Sequence, residues 1–93
     1  MLTEIVIKEM PNFRRAYKKL HTTQQLEVDK AVQTIIDNPD VGQKKKGDLA
    51  GVFVYKFAMQ AQETLLAYTW DPKQRILLAL GVHKNFYRNL KGR

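Results

Sequence analysis

Residues 51–81 read GVFVYKFAMQAQETLLAYTWDPKQRILLALG, three runs of aliphatic and aromatic residues separated by two short polar breaks. Val52–Met59, Thr64–Trp70 and Arg75–Gly81 each have the length and composition of a strand, and AMQAQE (58–63) and DPKQ (71–74) have the composition of turns. Connections this short join neighbours that run in opposite directions, so the three strands form an antiparallel meander. Period-two alternation in the first of them puts Val52, Val54, Lys56 and Ala58 on one face and Phe53, Tyr55, Phe57 and Met59 on the other. One face of the sheet therefore carries a lysine among small apolar side chains.

Towards the N-terminus, Leu2 to Lys8 alternates and is rich in β-branched residues, which predicts a first strand. Pro11 suits the first position of a helix, and Phe13, Ala16, Tyr17 and Leu20 follow at helical spacing with Arg14, Arg15, Lys18 and Lys19 around them. Thr22 and Gln25 have the form of a capping box; Val28, Ala31, Val32, Ile35 and Ile36 then form an apolar stripe that stops before Pro39, predicting a helix from about Thr23 to Asn38. Helices this close in sequence pack as an antiparallel hairpin. A polar stretch from Asn38 to Asp48 leads into the meander, and Lys84–Leu90 is expected to form one or two helical turns after it. The order is β-α-α-β-β-β-α, an α+β fold in which the hairpin packs on a twisted, mainly antiparallel four-stranded sheet. Residues 1–93 form one domain, without repeat or linker.

The composition agrees with a small folded protein: 93 residues, 44% hydrophobic and 27% charged. Its +7 charge is uneven. Residues 1–40 hold six basic and six acidic groups, whereas residues 41–93 hold ten against three, so the second part carries the whole excess. A one-signed surface favours a polyanionic partner, nucleic acid first and an acidic protein second; a charge that serves solubility alone is the competing explanation. There is no cysteine, hence no disulfide, thiolate metal site or thiol nucleophile. No apolar run approaches 18 residues and the first residues lack the pattern of a secretory signal, so a cytoplasmic location without membrane contact is expected.

Three features offer chemistry. Lys44, Lys45 and Lys46 form a basic run between Gly42 and Gly47, able to neutralise phosphates or simply to solvate a loop. Lys56 interrupts the apolar strand VFVYKFAM, either as a functional cation or as a rim residue whose stem covers apolar neighbours. His83 and Tyr87 stand four apart with Lys84 and Arg88 beside them; on a helix they share one face, where an imidazole, a phenol and cations can move protons and hold charge on a phosphodiester, unless they are structural. His21, in the interhelical turn, suits a capping or solvent role. No phosphate-binding glycine loop, metal-ligand spacing or nucleophile elbow is present, so no metal or cofactor is expected. The aromatics Phe53, Tyr55, Phe57, Tyr68 and Trp70 are spaced as core residues rather than as a base-stacking platform, which weakens the reading as a stand-alone RNA-binding module.

The element order, the passage NPDVGQKKKGDLAGVFVYKF (38–57) and the closing LLALGVHKNFYRNLK (77–91) together resemble the RelE/ParE superfamily of bacterial type II toxins over nearly the whole chain. The resemblance implies a microbial-ribonuclease-like fold with its active surface on the concave side of the sheet. It further implies, for the RelE branch, metal-independent cleavage of mRNA in the ribosomal A site by attack of the 2′-hydroxyl on the adjacent phosphate. Under it, Lys56 matches the family's strand lysine, His83 the group after the last strand and Tyr87 the terminal aromatic; Lys44, Lys45 and Lys46 match the basic approach to ribosomal RNA, and Lys84 and Arg88, the cations beside His83 and Tyr87, are expected to bind RNA or ribosome with them. The same branch places a further lysine and an arginine on this sheet, where the aligned positions here are Val54 and Leu65. The ParE branch shares the fold and inhibits DNA gyrase instead. Either branch implies an acidic antitoxin that folds on binding.

Overall fold

A computed structural model describes residues 4–82 together with Phe86, Tyr87 and Leu90. The elements are β1 (Val6–Glu9), α1 (Pro11–Lys18), α2 (Thr22–Asp37), a 3-10 turn (Pro39–Val41), β2 (Gln43–Lys44), a second 3-10 turn (Gly47–Leu49), β3 (Phe53–Met59), β4 (Gln62–Asp71) and β5 (Gln74–Gly81). They form one sheet in the order β1-β5-β4-β3-β2. The three strands of the expected meander are antiparallel neighbours, and β1 pairs parallel with β5, Val6 opposite Gln74 and Glu9 opposite Leu77.

Five strands rather than four correct the expected sheet. The extra one, β2, is a two-residue edge strand whose Gln43 and Lys44 pair with Val54 and Phe53. Its polar residues carry no strand pattern, and its pairing is set from elsewhere in the fold, as described below. The first strand begins later than expected, with Glu4 and Ile5 outside it, and runs on to Glu9; Leu2 and Thr3 lie outside the described residues. The C-terminal helix expected over 84–90 is not among the delimited elements; of that stretch only Phe86, Tyr87 and Leu90 are described.

Helix α1 starts at Pro11, where the missing N–H costs nothing, and buries Phe13. The expected capping box lies one residue earlier: His21 is the N-cap, and the Oε1 of Gln24 accepts the His21 backbone N–H at 2.9 Å. Two hydrogen bonds tie the helices, from Tyr17 Oη to Asp29 at 2.8 Å and from Gln25 Nε2 to the Tyr17 carbonyl at 3.0 Å. The Asp29 hydrogen bond first, and burial second, push the Tyr17 phenol up to about 12 from 10.0.

Both faces of the sheet are apolar. On one, Phe13, Val28, Ala31 and Ile35 of the helices meet Met59, Leu66, Tyr68, Leu77 and Leu80, with Phe53, Tyr55, Phe57 and Trp70 packed against them. On the other, Val52, Val54, Leu65, Ala67, Leu78 and Ala79 form a second cluster with Phe86 and Leu90. The register explains how Leu77 and Leu80 face the helices while Leu78 and Ala79 face away. Ala67 pairs with Ala79 but Tyr68 pairs with Leu77, so β5 carries one extra residue, a bulge that resets its alternation.

Arg75 is the charged residue among those buried in the described part of the chain, 4% exposed on the helix side. Its guanidinium donates to the carbonyls of Ile35 (3.3 Å), Ile36 (3.0 Å), Asp71 (2.6 Å) and Gln74 (3.2 Å). Helix α2 has no basic residue in its own last turn. Arg75 therefore supplies the cation that its carbonyl end favours, fixing α2 to β5 across 40 positions of sequence.

Candidate nucleic-acid interface

The sheet face away from the helices carries three of the side chains that sequence reading assigned to chemistry, Lys56, Lys45 and Tyr87, and alternation on β3 places the first of them. Val52 and Val54 sink into the second cluster while Lys56, two positions on, is exposed. Lys56 pairs with Leu65, which in turn pairs with Gly81, so the lysine lies in the same cross-strand row as the end of β5. Two interstrand spacings, roughly 10 Å, separate the outer members of that row. Among the described residues Lys56 has no hydrogen-bond or ion-pair partner, and both it and the short Ala58 on the same face of β3 are exposed, which leaves the ammonium accessible over a shallow surface.

The second cation on this face is Lys45. Its backbone N–H extends the β2–β3 pairing by donating to the Val52 carbonyl at 2.8 Å, and its Nζ donates to Gln43 Oε1 at 3.1 Å. The same Nζ stands 5.1 Å from the centroid of the Tyr87 ring, a cation–π distance. Tyr87 is held there by Phe86, whose ring meets it edge-on at 5.2 Å and is itself buried against the sheet with Leu90. Lys45 and Tyr87, distant in sequence, are thereby brought together.

The three lysines of the basic run are not equivalent in the fold. Lys44 pairs with Phe53, a residue of the helix-bearing side, and is exposed; Lys46 precedes the 3-10 turn and is exposed; only Lys45 is half-buried on the face with Tyr87. Strand alternation splits consecutive residues between two sides. Gly47 ends the run at φ +66°, where a side chain would be strained. His83, Lys84 and Arg88 lie outside the described residues.

Sequence reading missed what positions the run. Tyr68, fully buried on β4, donates from Oη to the Pro39 carbonyl at 2.7 Å and accepts the Gly42 backbone N–H at 2.9 Å. Its ring stacks on Phe53 at 5.7 Å. Gly42 has no alternative here, because a Cβ would sit 2.6 Å from Tyr68 Oη. This latch fixes the chain on the residue before β2, and so sets the register of Gln43 and Lys45 on β3. Burial pushes the Tyr68 phenol above its ordinary pKa. The only sequence signal was a tyrosine in an apolar strand, whose hydroxyl must find a partner when buried.

Val54 and Leu65, at the positions where the resemblance expects a further lysine and an arginine, are core residues, 3% and 0% exposed. The face thus offers a shallow, cationic surface with a phenol, suited to holding a phosphodiester rather than to enclosing a small molecule. No helix among the described residues is long and apolar enough to cross a membrane.

Comparison with known proteins gives a consistent picture. The family model described as a ParE-like toxin of type II bacterial toxin-antitoxin systems matches residues 7–91. No protein of curated function matches the sequence. The structure is similar to the toxin fold in the intact E. coli RelBE toxin-antitoxin complex, with TM-score 0.67 and 16% identity over 86% of this chain and 98% of that one. It is also similar to the isolated E. coli RelE toxin, with TM-score 0.65 and 14% identity over 95% and 94%. A third similar structure is the heterotetrameric YoeB-YefM toxin-antitoxin complex of Staphylococcus aureus, with TM-score 0.69 and 17% identity over 87% and 99%. At such identities the likeness is one of fold.

Proposed function

This chain belongs to the ParE-like toxin family of type II bacterial toxin-antitoxin systems, and from that premise we propose that it is a toxin that cleaves mRNA on the ribosome. The observation that carries the reading is Lys56, an exposed lysine without a partner among the described residues, in one row with the end of β5. His83 follows Gly81 by two positions in sequence. A lysine held on a rigid strand can stabilise the charge that develops on a phosphorane, and an imidazole can transfer the proton.

In this scheme the 2′-hydroxyl of the substrate loses its proton to His83 as its oxygen attacks the adjacent phosphorus. The bond from phosphorus to the 5′-oxygen breaks, giving a 2′,3′-cyclic phosphate and, after proton return, a 5′-hydroxyl. Lys56 faces the non-bridging oxygens, Tyr87 assists, and Lys44, Lys45, Lys46, Lys84 and Arg88 hold the RNA backbone. Neither metal nor cofactor enters the scheme. With the family's arginine position occupied by buried Leu65, fewer cations hold the phosphate, and positioning by the ribosome supplies what the face itself lacks. The partner that neutralises the toxin is a cognate acidic antitoxin, as the complexes of RelE with RelB and of YoeB with YefM suggest.

A second reading is favoured by one observation: Val54 and Leu65 have become core, as expected of a ParE-like protein that inhibits DNA gyrase without a nuclease site. Induction of the toxin in cells separates the two. Fragmented mRNA with unchanged plasmid supercoiling supports cleavage; relaxed plasmid with intact mRNA supports the gyrase reading and refutes the first.

A further inference from the structure

The neutral balance of the first forty residues hides a segregation that the fold makes visible. Residues 11–20 carry Arg14, Arg15, Lys18 and Lys19 and no carboxylate, whereas residues 22–37 carry Glu27, Asp29 and Asp37 against Lys30. Phe13, Ala16, Tyr17 and Leu20 turn inward from α1, and all four cations are exposed. Arg14 and Lys18, like Arg15 and Lys19, are four residues apart, so each pair repels along the helix surface.

Little in the fold offsets that repulsion. Arg14 approaches Glu9 at 3.9 Å with both side chains about half exposed, and Arg15 donates to the neutral side chain of Asn12. Among the described residues Lys18 and Lys19 have no ion pair. The carbonyl end of a helix favours a cation in its last turn but does not call for three on an eight-residue helix and a fourth at its C-cap. A one-signed cluster of this kind attracts a polyanion.

Two observations narrow the polyanion to nucleic acid and to its backbone. Residues 11–18 of α1 expose no large apolar side chain, and the exposed ones outside it include Met10 at its N-cap and Leu26 on α2, so an acidic peptide that must bury apolar surface to fold finds little anchor among the four cations. The patch is also on the helix side, with the sheet between it and the Lys45–Lys56 face, on a molecule whose shortest extent is 22 Å. A single strand lying on the Lys56 face does not touch α1; two walls of a folded RNA would touch both. Resting on the ribosome-directed reading above, we infer that α1 is a second RNA-contact surface, engaging a backbone segment separate from the strand on the sheet face.

The test compares wild-type protein with the triple variant Arg15→Gln, Lys18→Gln, Lys19→Gln, and with Arg15→Lys as a charge-preserving control. Binding to mRNA-programmed ribosomes, to a short unstructured RNA oligonucleotide and to polyglutamate is measured across a salt series. Urea unfolding confirms that the variants fold. The triple variant is expected to bind ribosomes more weakly, with the slope of log affinity against log salt reduced by roughly 2 to 3, at about 0.7–0.9 per phosphate lost. Its oligonucleotide binding stays at the wild-type level, and Arg15→Lys matches wild type throughout. An unchanged ribosome slope, an equal loss on oligonucleotide and ribosome, or a loss on polyglutamate instead would overturn the inference. Wild-type protein that binds neither RNA would instead refute the function on which it rests.

Discussion

Tyr68→Phe isolates the latch beneath the basic run, because the ring and its stacking on Phe53 remain and only the hydroxyl is lost. Two backbone groups then lose their partners, the Pro39 carbonyl at 2.7 Å and the Gly42 N–H at 2.9 Å, both in part-buried positions. A buried polar group left unsatisfied costs about 1–3 kcal/mol, and with water reaching one of the two the variant is expected to lose about 2 kcal/mol. For a domain of this size that lowers Tm by about 8–16 °C. Gly42→Ala attacks the same contact from the other side: the backbone there is ordinary extended chain, but the new Cβ meets Oη at 2.6 Å. Once the hydroxyl is gone, ring carbons at 3.0 and 3.1 Å remain, so alanine costs less in the Tyr68→Phe background. Thermal and urea unfolding of both single variants and the double variant should give a coupling of at least about 0.5 kcal/mol. Hydrogen exchange at the Gly42 and Lys45 amides should accelerate in Tyr68→Phe. Additive free energies, or a Tyr68→Phe protein within about 0.5 kcal/mol of wild type with unchanged exchange, would refute the latch.

Arg75→Met removes four donor contacts to backbone carbonyls and should destabilise by about 3–5 kcal/mol in urea unfolding; a loss under about 1 kcal/mol would mean that the end of α2 is satisfied without it. The phenol of Tyr17, raised from 10.0 to about 12, gives stability that is fully present below pH 10 and is lost as pH rises through 12, since the unfolded chain ionises first. Tyr17→Phe should flatten that alkaline limb, and an unchanged limb would contradict the Asp29 hydrogen bond as its source. Lys56→Gln, at an exposed position, should leave stability within about 0.5 kcal/mol while lowering cleavage by about a hundredfold or more; equal activity would remove Lys56 from the site.

Periodicity made most of the fold legible. Pro11 with the spacing of Phe13, Ala16 and Tyr17 located α1, that of Val28, Ala31 and Ile35 located α2, and the three apolar runs located the meander to within a few residues. What stayed hidden is non-local. Gln43 and Lys44 become a strand because Tyr68, 26 positions beyond Gly42, holds the chain against β3, and no short window of sequence contains both ends of that contact. The bulge beside Ala67 and Tyr68 depends on pairing between strands. Arg75 looked like a strand opening because the two partners that tie it to α2 lie some 40 positions back. For the site, alternation alone put Lys56 on its face. The same alternation, unrecognised within the short β2, divides Lys44 from Lys45, and the approach of Lys45 to Tyr87 depends on residues 42 positions apart packing on one sheet face.

The central proposal, cleavage of mRNA on the ribosome with Lys56 and His83 as the working residues, is tested most directly by primer extension on a defined mRNA. The purified protein is incubated with the mRNA with and without programmed ribosomes, with His83→Ala as control. Cuts within the A-site codon that require both the ribosome and His83 are the predicted result. No cuts in any lane, from protein that still arrests growth, would contradict it and move the target to DNA gyrase.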